Sequence, residues 1–253
     1  MKKLIVALLL IPSISHAGRI TMNFGSGGGT VTFSSGTASS GGGSAPTFVR
    51  VSSMTYRGGG GSNCETGTIT IGSGNTLVCF CGSGDTNGTT SMSDTLGNTY
   101  TAYAAQTLAG SNSSIKAFVA KNTTGGTGVI SCTDHVNWPG GMDGFCAEYS
   151  GANLTAPVDV YSSSASAVTS GGLTMNSSPA TTTASNVVMV SALRQGTGLT
   201  ITGQSGTSRM TNTASYVQQI QDTVVTSPGS YESTYTWAGG SYFPSMYQVG
   251  IKP

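Results

Sequence analysis

The chain has 253 residues, of which 38 are Gly, and only 8% are charged, with 10 Lys+Arg against 9 Asp+Glu. A nucleic-acid partner is excluded, because phosphate binding needs clustered cations and these ten are scattered, with no patch denser than Lys116 and Lys121. A helical bundle or coiled coil is excluded as well, since Gly, Ser and Thr dominate and all are poor helix formers.

Residues 1–17 have the plan of a secretory signal peptide: Met1-Lys2-Lys3 is a positive start, Leu4 to Ile11 an apolar stretch and Ser15-His16-Ala17 a small-x-small cleavage site. The apolar stretch is far shorter than the roughly 20 residues a membrane span needs, so the pattern predicts cleavage after Ala17 and secretion rather than an anchor. The mature part then holds eight basic and nine acidic residues. A surface so nearly neutral gives no electrostatic steering, and recognition must rest on hydrogen bonds and stacking.

Residues 18–45 form a Gly/Ser/Thr-rich arm or linker. Ile20, Met22 and Phe24 alternate with period 2, as do Val31 and Phe33, which predicts a weak hairpin about the intervening glycines. From residue 46 onward, short apolar or alternating runs separated by turn clusters predict strands at 48–56, 67–71, 75–81, 99–105, 115–121, 128–133, 144–149, 158–161, 187–192, 199–202, 215–225, 231–237 and 245–251. No segment sustains a 3.6-residue period. The expectation is an all-β fold, an antiparallel β-sandwich or jelly roll, with 46–253 as one domain. Near the C-terminus Tyr231, Tyr235 and Trp237 share strand parity and are expected to fill the core.

Four motifs follow one another in a telling order: Asn75-Thr-Leu-Val78, Ser93-Asp-Thr-Leu-Gly-Asn-Thr-Tyr-Thr101, Ala117-Phe-Val-Ala-Lys-Asn122 and Glu148-Tyr-Ser-Gly151. In this the chain resembles a broad group of bacterial and phage-associated secreted β-sandwich modules, and the resemblance implies a jelly roll like that of concanavalin-like lectin and glucanase domains. It implies no single activity. The cysteines and the Gly-rich arm depart from the group's pattern, so no bridge carries over. Read on their own, Leu96-Gly97-Asn98 supplies tight-turn chemistry and Gly151 lets a strand exit sharply.

All five cysteines, Cys64, Cys79, Cys81, Cys132 and Cys146, lie in the mature part. Export predicts disulfides, and the odd count leaves one thiol over. Cys79 and Cys81 share one face of a strand and cannot close on each other. Cys132 and Cys146 flank the segment 133–145, and if their strands form a hairpin the two Cα atoms come within bridging range. That bridge would stabilise by about 3 kcal/mol in the chain-entropy model. Cys64 is then expected to pair with Cys79 or Cys81. No metal site is expected, because the C-x-C pair lacks a second pair or a His cluster to complete it.

The bridged segment gathers Asp134, His135, Asn137, Trp138 and Asp143, which is the chemistry of a sugar site: an indole to stack on an apolar sugar face, with carboxylates and an amide to hold hydroxyls. The bland reading is that Trp138 plugs the end of the sandwich while the acids cap turns. Asp134, Asn137 and Asp143 are also the hard oxygen donors that Ca²⁺ prefers, but no Asp-x-Asp-x-Asp run arranges them, and no cofactor is expected. Glu148 is the carboxylate a glucanase-like site would use, yet no second acid stands two or four residues away, which favours a structural role.

The leading functional expectation is therefore a non-enzymatic secreted recognition or adhesion module for a glycan or cell-surface polymer. One alternative is an assembly subunit whose arm adds a strand to a neighbouring copy, giving a homo-oligomer. The other is a carboxylate-dependent glycan hydrolase.

Overall fold

A computed structural model of the chain describes residues 19–22, 31–34, 43–56, 63–83, 89–107, 114–134, 142–165, 173–194, 200–212, 217–238 and 244–253. The proposed signal peptide and much of the arm lie outside them. Residues 1–40 form a unit of their own, separate from a compact unit at 41–253. Within the first, β1 (Arg19–Met22) pairs antiparallel with β2 (Val31–Ser34), Ile20 opposite Phe33 and Met22 opposite Val31, as the alternation predicts. All described secondary structure is strand, and the pairing is antiparallel throughout. The all-β antiparallel expectation is met.

The first half of the compact unit contains β3 (Thr47–Tyr56), β4 (Asn63–Thr66), β5 (Ile69–Ile71), β6 (Thr76–Ser83), β7 (Thr89–Asp94), β8 (Tyr100–Ala102), β9 (Gln106–Thr107), β10 (Ser114–Ala120), β11 (Gly126–Gly128), β12 (Ile130–Asp134) and β13 (Met142–Ser150). The second contains β14 (Val158–Ala165), β15 (Leu173–Asn176), β16 (Ala180–Thr182), β17 (Val187–Arg194), β18 (Thr200–Gln204), β19 (Thr207–Thr211), β20 (Val217–Val225), β21 (Gly229–Tyr231), β22 (Thr234–Ala238) and β23 (Ser245–Ile251).

The halves repeat one topology. The run β3-β13-β6-β10-β8 matches β14-β23-β17-β20-β19, the run β7-β12-β4 matches β18-β22-β15, and the ribbon β11-β5 matches β21-β16. Strand spacing repeats too. Thr47 to Val158, Ile69 to Ala180, Thr76 to Val187 and Thr89 to Thr200 are each 111 residues apart, while Ser114 to Val217, Gly126 to Gly229 and Met142 to Ser245 are each 103 apart. In the first half β4 also pairs with β3, so its strands form one sheet that curls until it nearly closes as a barrel. One jelly-roll-like arrangement is thus built twice, inside a single compact unit.

The halves pack back to back. Val78, Phe80, Ala117, Phe145 and Ala147 of the first share a core with Val188, Val190, Ala192, Ile220, Tyr247 and Val249 of the second. Burial of such aliphatic and aromatic side chains contributes roughly 1.5–3 kcal/mol each. At one edge of this core the Tyr149 hydroxyl donates to Asp222 Oδ2 at 2.8 Å, and Arg209 binds both Asp222 oxygens at 2.8 Å. The Arg209 guanidinium also lies 4.2 Å over the Phe48 ring, which meets Tyr149 edge to face. A buried carboxylate is tolerated here because a bidentate arginine and a hydroxyl both satisfy it.

The turn motifs behave as their chemistry predicts. Gly97 and Gly151 both sit at φ +77°, in the left-handed region. Asp94, at the end of β7, accepts from the Leu96 and Asn98 amides, the Asn98 side chain and the Tyr100 hydroxyl, which ties the whole 94–100 motif to one carboxylate. Asp159 does the same for the Thr183 amide and hydroxyl and the Ala184 amide. Burial works to raise both carboxyl pKa values, but these hydrogen bonds together outweigh it and hold both below the usual carboxylate value. A lowered folded-state pKa contributes stability above the unfolded value, near 3.9, and loses it as pH falls through the folded one. We expect the urea midpoint to drop on acidification below about pH 4, and the drop to shrink in an Asp94→Asn/Asp159→Asn double variant; an unchanged acid dependence would exclude these anchors as its source.

Candidate binding site

The five cysteines all turn into the private interior of the first half, where Met54, Met92 and Met142 join them. Cys79 is bridged to Cys146 and Cys81 to Cys132, and Cys64 is a buried free thiol. The expected Cys132–Cys146 bridge is therefore corrected, as is any bridge to Cys64. The reason is sheet order: β4 and β3 lie between β12 and β13, so the strands that carry Cys132 and Cys146 form no hairpin. Cys146 instead stands directly opposite Cys79 in the β13–β6 ladder, with Cα atoms 4.0 Å apart. Each observed bridge closes more than 50 residues, for which the chain-entropy model gives about 4 kcal/mol. Disulfides of this kind belong to an oxidising, non-cytoplasmic compartment. The Cys64, Cys81 and Cys132 sulfurs lie within 4.8 Å of one another, but the bridge commits two of the three.

Of the expected sugar-binding loop, His135, Asn137 and Trp138 lie outside the described residues. Asp134 and Asp143 are both buried, and they belong to opposite faces of the sheet. Asp134, on the interior side, accepts from the Ser83 hydroxyl. Asp143 stands opposite Gly82 on the face turned toward the second half, where a Cβ on Gly82 would overlap Arg194 and lie 2.9 Å from Asp143 Oδ1. The missing side chain at Gly82 is what admits the buried Arg194 beside Asp143. Asp134 and Asp143 thus lie on different faces of the sheet.

Glu148 is also buried, with one carboxylate oxygen hydrogen-bonded and the other held by an ion pair alone. Oε1 accepts from the Gly72 amide at 2.6 Å and from the Asn75 side chain, while Oε2 pairs with Arg50 Nε at 2.9 Å. This joins the first and last of the four sequence motifs, because Asn75 opens one and Glu148 the other. The structural role expected for Glu148 fits that geometry.

Sequence reasoning missed a cleft at the junction of the halves. It has a volume of about 200 Å³ and is lined by Thr101, Tyr103, Val119, Lys121 and residues Thr155, Ala156, Pro157 and Val158. Lys121 reaches across it to the Thr155 carbonyl. Beside it, Tyr103 packs 4.8 Å from Tyr161, and Tyr161 stacks nearly parallel on Tyr247 at 6.3 Å with 13° between the planes. Tyr161 is 48% exposed, whereas Tyr247 is fully buried and its hydroxyl has no hydrogen-bond partner among the described residues. Burial raises the pKa of the Tyr103 and Tyr247 hydroxyls, with neighbouring tyrosines adding to it, so both remain protonated donors at neutral pH. No local pattern marks this group, because residues 103, 161 and 247 meet only once the two halves pack.

Comparison of the chain with protein-family models, with curated proteins and with solved structures finds no match. Among the described residues no helix is long and apolar enough to cross a membrane.

If Glu148 is a structural anchor, Glu148→Gln should lower unfolding stability by about 1–3 kcal/mol, because one charged acceptor set is lost around buried donors. Chemical denaturation measures this. A variant as stable as the wild type would return Glu148 to the list of candidate catalytic acids.

Proposed function

We propose that the chain is a secreted recognition module that binds a glycan or surface polymer by stacking a sugar ring on the Tyr103–Tyr161 platform at the junction of its halves. The observation that carries this reading is the half-exposed Tyr161 ring, packed against Tyr103 and Tyr247 next to the cleft. Such a ring presents a rigid apolar face with little further entropy to lose on binding. Thr101, Thr155 and Lys121 bring hydroxyl and ammonium groups to the lining of the same cleft. Pockets that enclose a whole small ligand usually run to about 300–1,000 Å³. A cleft of about 200 Å³ instead suits one unit of a longer chain.

Export through the segment 1–17 accords with the two disulfides, and the resemblance to secreted jelly-roll modules points the same way. The hydrolase alternative lacks support from Glu148, whose oxygens are already bound. The assembly alternative rests on the 19–34 hairpin, which forms a unit separate from the main body and would have to recruit a neighbour through its outer edges.

A glycan array probed with the mature protein tests the reading. We expect a polymer-type ligand, and Tyr161→Ala should weaken it about tenfold, the effect of losing one stacking contact worth about 1.4 kcal/mol. Trp138→Ala should leave it unchanged. Loss of binding in Trp138→Ala alone would move the site to the 133–145 segment, and no ligand in any polymer class would contradict the proposal.

A further inference from the structure

The Cys81–Cys132 bridge spans the interior of the curled sheet, because β4, β3 and β13 intervene between β12 and β6 in strand order. Cys132 has a second neighbour of the same kind. Cys64 is its direct cross-strand partner in the β12–β4 ladder, on the same interior face and just as buried. Directly opposite residues in antiparallel strands have Cα atoms about 4.5–5.5 Å apart, inside the range that a disulfide accepts. The same interior supplies a precedent, since Cys79 and Cys146 are a directly opposite pair and are bridged.

We infer that Cys132 has two alternative partners, and that the bridge exchanges between a cross-interior form, Cys81–Cys132, and an along-sheet form, Cys64–Cys132. In the forward step the Cys64 thiolate attacks Cys132 Sγ, a Cys64–Cys132 bond forms, the Cys81–Cys132 bond breaks, and Cys81 leaves as a thiolate that takes up the proton Cys64 gave up. No oxidant or reductant is consumed. All three sulfurs already lie within 4.8 Å of one another, so small side-chain movements bring the reacting atoms together.

The two forms differ mechanically. In the first, β6 and β12 are tied twice across the interior, by Cys81–Cys132 and, two residues along each strand, by the Ser83–Asp134 hydrogen bond. In the second only the hydrogen bond remains, and the bridge ties strands that the sheet already pairs. Exchange therefore unlocks the two walls of the barrel without removing a disulfide. Burial pushes the Cys64 thiol pKa far up, which keeps the exchange slow until the interior opens.

The test is thiol labelling and non-reducing peptide mapping of the oxidised, full-length mature protein, held at mildly alkaline pH in sub-denaturing urea. Cleavage after Phe80 separates Cys79 from Cys81. We expect N-ethylmaleimide to label Cys64 in some molecules and Cys81 in others, with matching Cys81–Cys132 and Cys64–Cys132 peptides. A Cys64→Ser variant should give the first peptide alone. Cys81→Ser, oxidised with glutathione disulfide, should form Cys64–Cys132 while keeping Cys79–Cys146. Label confined to Cys64 in the wild type overturns the inference, as does a Cys81→Ser protein that keeps Cys79–Cys146 yet retains two free thiols. If Cys81→Ser fails to fold, the wild-type labelling decides alone.

Discussion

Four strands, β6, β13, β17 and β23, have to be buried on both faces, and most of the molecule follows from that constraint. β6 and β17 are buried at every position, as is β23, and β13 at all but its last residue. A strand covered on two sides cannot alternate apolar with polar residues, so Thr76-Leu-Val-Cys-Phe-Cys-Gly-Ser83 and Val187-Val-Met-Val-Ser-Ala-Leu-Arg194 read as almost continuous apolar runs. One face of each is common to both halves and forms the shared core. The other face is private, and there the halves diverge.

Equivalent positions show the divergence. Phe80 lies between Ala117 and Phe145 in its sheet, and Ala192 lies between Ile220 and Tyr247 in the other. Moving one residue back on each central strand, the Cys79–Cys146 pair corresponds to Ser191 opposite Gln248. The first half closes this point with a covalent bond. The second satisfies it with hydrogen bonds: the Gln248 amide nitrogen, with two hydrogens to give, lies within reach of the Ser162 hydroxyl and the Ser178 and Tyr231 carbonyls, and its oxygen accepts from Ser233, while the Tyr235 hydroxyl donates to the Ser191 carbonyl. Where the first half has Cys81 bridged to Cys132, the second packs Leu193 with Tyr235 and Trp237. A sulfur-lined interior and an aromatic one fill the same architecture. Burial of Tyr235 and Trp237 meets the expectation that they are core, whereas Tyr231 sits on a separate short strand and is only partly buried.

The central strands were legible because burial on one or both faces leaves an apolar trace. Residues 245–251 match β23 to the residue, and the other long strands are matched to within a few positions. The strands absent from that expectation, β4, β7, β9, β15, β16 and β19, are short and built mainly of Thr, Ser and Asn, so nothing in their composition separates them from turns. The internal repeat was hidden for a related reason. What repeats is strand spacing and pairing order, while the side chains that fill each private interior are chemically unlike. Disulfide partners failed because they depend on strand order: the hairpin assumed for Cys132 and Cys146 is split by β3 and β4, which come far earlier in the chain. The tyrosine cluster draws on residues from both halves and is invisible to any local reading.

The back-to-back arrangement also explains the character of the junction. The apolar core closes on one side with the Tyr149–Asp222–Arg209 network, and Tyr247 links that core to the Tyr103–Tyr161 platform and its cleft. Hydrogen exchange of the native chain, followed by mass spectrometry, tests this shared core most directly. The account predicts that β6, β13, β17 and β23 exchange slowest and at similar rates, because each lies under the same two-sided cover. Slow exchange in β6 and β13 alone, with β17 and β23 exchanging as fast as the edge strands β8 and β19, would contradict it.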